Sequence, residues 1–174
     1  IAGGALTRLE NEDRARAQRL ATEALRGLDR ADRMLKPYLK KTPHLHVMNA
    51  LRLGVIELCQ GEAAHGVVNA YVELVARNKR TQSMKGLTNA VLRKIADEGP
   101  NGWQKRALPL TPGWLRQPLV AAWGREAVMG MEEAHFAGAP LDLSAKNDPA
   151  KVAEAVGGEL LPTGSIRIQN AGQV

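Results

Sequence analysis

Apolar residues three and four positions apart form five successive stripes in the first hundred residues, with short polar breaks between them. That spacing puts the apolar side chains on one face of a helix, and such a face must be buried against another element. Ala17, Leu20, Ala21, Ala24, Leu25 and Leu28 make the first stripe, with Arg14, Arg16, Arg19, Glu23 and Arg26 outside it. Ala31, Met34, Leu35, Tyr38 and Leu39 make the second, which Pro37 should kink or end early. In the break KKTPHLH, Thr42 is placed to cap a third helix and Pro43 suits its first position, where a missing N–H costs nothing. That helix runs to about Cys59 with Met48, Leu51, Val55 and Leu58 inward, and Gly54 is either a packing contact or a plain propensity cost. Ala64, Val68, Tyr71, Val72, Val75 and Ala76 mark the fourth, and Met84, Leu87, Val91 and Ile95 the fifth, with Ser83 as its expected cap. Five helices with short loops fit an antiparallel bundle or orthogonal array around one core.

The texture changes after Asp97. GPNGWQKRALPLTPGWLRQP, residues 99–118, holds four Pro and three Gly and reads as a linker or wrapped connector. One further helix is expected to carry Leu119, Val120, Trp123, Ala127, Met131 and Ala134 on one face. LDLSAK then alternates like a strand, DPAKVAEAVGG has the cap, first-turn Pro and terminal Gly pair of a short helix, and IRIQ alternates again. Two strands and one helix bury little surface, so this part reads as the start of a larger module. The expected fold is mainly α: a helical bundle over 1–98, a Pro/Gly-rich connector over 99–117, and a helix plus an incomplete α+β module over 118–174.

Charge divides the chain in the same way. Residues 1–106 carry 19 Lys/Arg against 11 Asp/Glu, whereas residues 107–174 carry 5 against 7. A surplus confined to the helical part points to an anionic partner there, nucleic acid foremost. Between Glu73 and Asp97 there is no carboxylate, while Arg77, Lys79, Arg80, Lys85, Arg93 and Lys94 supply six cations. Cations at the end of the fourth helix would also suit its dipole, which accounts for Arg77, Lys79 and Arg80 but not for Lys85 beside a helix start. Aromatic residues are absent from this stretch, so phosphate and shape recognition with little base readout is the expected mode.

Other features carry less. Asn49-Ala50, Asn69-Ala70 and Asn89-Ala90 recur at intervals of 20 residues. Helices of equal length produce such a period without any repeat architecture, and an Asn near a helix start braces the adjoining loop. On antiparallel helices the three amides should lie at alternating ends, apart from one another. Cys59, His44, His46 and His65 lack the spacing of a zinc site, and Cys59 sits in an apolar stripe with no base nearby, so no metal and no catalytic residue is expected. A single cysteine, no apolar run of eighteen residues and no signal-peptide pattern lead to a cytoplasmic reading without membrane contact. The chain opens on Ile1 rather than Met, and residues upstream are expected.

The order DRARAQRLATEALRGLDRADRMLKPYLKK, TPHLHVMNALRLGVIELC, AAHGVVNAYVELVARN and KGLTNAVLRKI resembles the NusB-type helical domain of RsmB-like ribosomal RNA cytosine-5 methyltransferases. The resemblance covers roughly residues 1 to 98, and Asn69 and Asn89 match the family's pattern. It implies binding of ribosomal RNA. PGWLRQPLVAAWGREAVMGMEEAHFAGAPLDLSAKNDPAKVAEAVGGELL is similar to the segment that leads, in those enzymes, through a small α/β RNA-binding region to a domain binding S-adenosylmethionine. The paired catalytic cysteines and the cofactor loop of that family are not found in this sequence and would lie beyond Val174. The resemblance therefore implies a non-catalytic recognition portion, with no cofactor of its own, that contacts its own catalytic domain. Two other readings stay open. One is a NusB-like antitermination factor, which would bind RNA and a ribosomal protein. The other is a helical protein-binding module whose charge serves solubility.

Overall fold

The computed structural model describes residue 4 and residues 6–168. It is mainly α, a helical bundle followed by a small α+β module. Contacts divide the chain into two compact units, Ile1–Phe136 and Ala137–Val174.

In the first unit, α1 (Asn11–Arg26) and α2 (Leu28–Leu35) are followed by a 3-10 turn at Lys36–Tyr38. Pro37 sits in that turn and ends α2, as its ring requires. α3 (Leu45–Cys59), α4 (Ala64–Arg77) and α5 (Lys85–Gln104) complete the bundle. α3 is the centre: Val47, Leu51 and Val55 are fully buried, and it packs on α1, α2, α4 and α5. Around it lie Met34 and Leu35 of α2, Val75 of α4, and Leu92 and Ile95 of α5, all fully buried. Gly54 is a packing contact, because a Cβ there would stand 2.7 Å from the Leu92 side chain and 3.3 Å from Tyr71.

Several expected details differ. α3 begins at Leu45, two residues after Pro43, and its cap is His44, whose Nδ1 accepts from the His46 N–H at 3.2 Å. Thr42 therefore caps nothing. Ser83 is no cap either, since a 3-10 turn at Gln82–Met84 runs directly into α5. On α5 the buried face is Thr88, Val91, Leu92 and Ile95, and Leu87 is left partly in solvent. α1 buries none of its residues fully, and Leu25 is 66% exposed.

α5 bends where the composition changes. Gly99 has φ 54°, a left-handed conformation open to glycine, and Pro100 starts a last helical turn that ends at Gln104. The following connector wraps along α2. Arg30 donates to the carbonyls of Arg106 (2.7 Å) and Ala107 (3.1 Å), and Arg33 donates to that of Leu108 (2.7 Å). Asp29 accepts from the Leu110 N–H at 2.9 Å. The Arg30 guanidinium also lies over the rings of Trp103 and Phe136, at 5.1 and 4.6 Å.

The single helix expected beyond residue 118 is two, α6 (Gly113–Trp123) and α7 (Arg125–Ala137). Gly124, at φ 81°, turns the chain between them, so one apolar stripe does not continue from one to the other. Ala127, Met131 and Ala134 are consequently exposed, while Val128 and Glu132 are buried. Glu132 accepts from the Thr111 N–H (2.7 Å) and from Arg116 Nε (2.9 Å). Burial by itself would raise the carboxyl's pKa, but those hydrogen bonds outweigh it and hold Glu132 below its ordinary value.

The second unit is a three-stranded antiparallel sheet in the order β1-β3-β2, formed by β1 (Leu141–Ser144), β2 (Glu159–Leu160) and β3 (Ser165–Ile168), with α8 (Pro149–Val156) packed on it. α8 has the expected signals: Asp148 accepts from the Lys151 N–H, Pro149 opens the helix, and Gly157 closes it at φ 62°. β2 was not expected. It completes a hairpin with β3, whose Arg167 also pairs with Asp142 of β1 at 2.8 Å. Gln169, the last residue of the expected strand IRIQ, lies outside the described residues.

Candidate nucleic-acid interface

The basic stretch forms a helical hairpin. Val67, Val68, Tyr71 and Val75 of α4 face the core beside Thr88, Val91, Leu92 and Ile95 of α5, which fixes the outward faces of both helices. The turn is locked from within. Thr81 is fully buried and donates its hydroxyl to the Val75 carbonyl at 2.9 Å, while Asn78 Oδ1 accepts from the Arg80 N–H at 2.9 Å. With Thr81 anchored inward and the Asx turn at Asn78, Lys79 and Arg80 are left exposed.

Arg77, Lys79, Arg80 and Lys85 thus gather around this end of the hairpin, all exposed. Arg77 has a loose i,i+4 contact with Glu73 at 3.4 Å, both side chains largely in water, a pairing worth well under ~1 kcal/mol. Among the described residues, no carboxylate lies within 4.0 Å of Lys79, Arg80 or Lys85. Arg93 and Lys94 are exposed too, but eight and nine residues beyond Lys85, about 12 Å farther along α5 at the helical rise. The six cations therefore form two groups on one hairpin.

The second group borders a groove of about 710 Å³ between α4 and α5, lined by His65, Asn69, Asn89, Arg93, Lys94 and Asp97 over Ala64, Val68, Ala90 and Ala96. The expectation that the recurrent asparagines lie apart is corrected here for two of them. The 3-10 turn before α5 lengthens that arm of the hairpin, so Asn89 comes level with Asn69 across the groove. Asn49 is elsewhere, accepting from Arg52 Nη1 at 3.1 Å. None of the three caps a helix or braces a loop. Asn89 Oδ1 accepts from Arg93 Nε at 3.2 Å, and Asn69 meets only the His65 ring, at 3.3–3.4 Å. The signal in the sequence was the pairing of the 20-residue spacing with an antiparallel hairpin.

Two polar groups lie inside the bundle. Glu57, buried on α3, accepts from the Tyr71 hydroxyl at 2.5 Å and from Arg16 at 2.7 Å, tying α1 and α4 to α3. Burial and this hydrogen bond push the Tyr71 phenol far above its ordinary pKa. Cys59 is buried beside Met34, and burial pushes its thiol up to about 12, so it stays protonated and inert at neutral pH. Among the described residues, no three His, Cys, Asp or Glu side chains cluster as metal ligands would. No described helix is long and apolar enough to cross a membrane.

The sequence of the helical part matches a family model. The NusB family model matches residues 4–97, more than half of the chain. The chain belongs to the NusB family. No curated protein and no solved structure gives a significant match. NusB-family domains bind RNA, and in this NusB-family chain α4, the six basic residues and α5 as far as Asp97 fall within the matched residues. The connector, α6, α7 and the β-containing unit lie beyond them.

Proposed function

We propose that this chain is the RNA-recognition portion of an S-adenosylmethionine-dependent ribosomal RNA cytosine-5 methyltransferase. The observation that carries the RNA reading is the cluster Arg77, Lys79, Arg80 and Lys85, exposed around a turn braced by Thr81 and Asn78, with only Arg77 near a carboxylate among the described residues. These cations would displace condensed counterions from the RNA phosphates, and the entropy of that release would drive binding. Helix-dipole compensation explains fewer of these side chains, since Lys85 stands at the start of α5, where a cation is disfavoured.

The methyltransferase reading rests on the residues beyond the family match. A connector pinned to α2, the pair α6–α7 and a small α+β unit extend well past residue 97, resembling the approach to a catalytic domain. In this reading S-adenosylmethionine would supply the methyl group in a domain after Val174, and this chain would hold the folded RNA. The matched helical domain equally suits a NusB-like antitermination factor binding RNA and a ribosomal protein. Continuation of the natural reading frame into paired cysteine motifs and a cofactor loop would support the methyltransferase, and termination at Val174 would remove it.

For RNA binding itself, affinity for a ribosomal RNA fragment should fall steeply with salt. Neutralising Arg77, Lys79, Arg80 and Lys85 together should flatten the log–log salt slope by roughly 3. An unchanged slope would favour a protein-binding module.

A further inference from the structure

We propose that the groove between α4 and α5 captures an unpaired nucleotide of the bound RNA, with its base against Asn69 and Asn89 and its phosphate against Arg93 and Lys94. The inference rests on RNA being the ligand and adds base capture to the phosphate contacts expected from sequence.

The groove exists because its floor is small. Ala64, Ala90 and Ala96, with Val68, leave about 710 Å³ open, within the ~300–1,000 Å³ typical of small-molecule sites. An apolar floor suits the flat face of a base, and the rim carries groups that suit its edge. Each Asn presents a carbonyl acceptor and an amide donor pair, the combination that meets base edges in both senses. Asn69 is exposed and, among the described residues, has only its long contact with His65, which leaves its amide to a ligand. The Asn89 carbonyl already receives Arg93 Nε, which leaves the Asn89 NH₂ to donate and holds the Arg93 guanidinium at the groove, its terminal nitrogens uncommitted among the described residues.

Charge favours a nucleotide over a neutral or acidic segment of protein. Arg93 and Lys94 stand at the rim, no carboxylate lies within 4.0 Å of either among the described residues, and Asp97 is the one acid lining the groove. The His65 ring adds a surface on which a base can stack. The concave shape decides between single and double strands. In an RNA duplex the base edges lie in a deep narrow groove or a shallow one, so amides within a cleft reach a base only when it is splayed out. The Arg77–Lys85 end, about 12 Å away along α5, would meanwhile hold phosphates farther along the strand.

The test compares Asn69→Ala, Asn89→Ala and the double variant with the unaltered chain. Binding is read by fluorescence anisotropy with a mixed-sequence single-stranded RNA and with that strand annealed to its complement. Ala favours helix over Asn, so the variants should keep their circular dichroism and melting. The double variant should lose about tenfold in affinity for the single strand. Duplex affinity and the salt slope should not change. Equal losses on both RNAs, or no loss on either, would overturn base capture and leave RNA binding by the hairpin standing. Failure of the unaltered chain to bind either RNA would remove both readings.

Discussion

The bundle and the segment wrapped after it are built on opposite principles. The bundle is held by an apolar core centred on α3, with Leu51, Val55, Leu92 and Ile95 fully buried. From Lys105 to Phe136 the chain buries almost nothing apolar, and Val128 is its one fully buried large side chain among the described residues. Polar clasps hold it instead: Arg30 and Arg33 on backbone carbonyls, Asp29 on the Leu110 N–H, and Glu132 on Thr111 and Arg116. Apolar burial is cooperative and spread over many contacts, whereas a clasp depends on a few hydrogen bonds. The two regions should therefore fail separately.

The largest effect is expected in the core. Leu92→Ala should remove about 3–4 kcal/mol from the cooperative unfolding of the bundle, measured by denaturant titration, because its cavity lies between α3, α4 and α5. Arg30→Met should cost less, about 2 kcal/mol, by leaving two carbonyls without their charged donor. Its signature should be local: faster hydrogen exchange and proteolysis over residues 105–112, with the bundle's amides still protected. Equal loss of protection in both regions would show that they are one cooperative unit.

Acid should separate them in the same sense. The folded-state pKa of Glu132 lies below its ordinary value, so its contribution is present at neutral pH and is lost as pH falls through that lowered pKa. Hydrogen exchange over residues 111–132 should rise there before the bundle loosens, and Glu132→Gln should abolish the pH dependence of that rise. The smallest effect should come from Trp123→Ser. The indole is 66% exposed, so the change should stay within roughly 0.5 kcal/mol in a melting experiment.

The same division explains how much of the molecule is legible in its sequence. Where burial decides, periodicity suffices: all five bundle helices and the inward Leu51, Val55, Val75, Val91 and Ile95 follow from spacing. Where polar contacts decide, spacing misleads. The stripe from Leu119 to Ala134 is continuous in sequence, but Gly124 breaks it, and α7 buries Val128 and Glu132 in place of Ala127, Met131 and Ala134. Glu57 is invisible for a related reason, since its partners Tyr71 and Arg16 stand 14 and 41 residues away. At the candidate interface, all six basic residues are legible as a run without carboxylates. Their separation into two groups, and the meeting of Asn69 with Asn89, need the hairpin's geometry.

Crosslinking tests the central claim most directly. The chain would be irradiated with a bound ribosomal RNA fragment, and the adducts located by mass spectrometry. Adducts on peptides covering residues 65–94, with none on α6 or α7, are the predicted result. Adducts confined to α1 or to the wrapped segment would contradict the account.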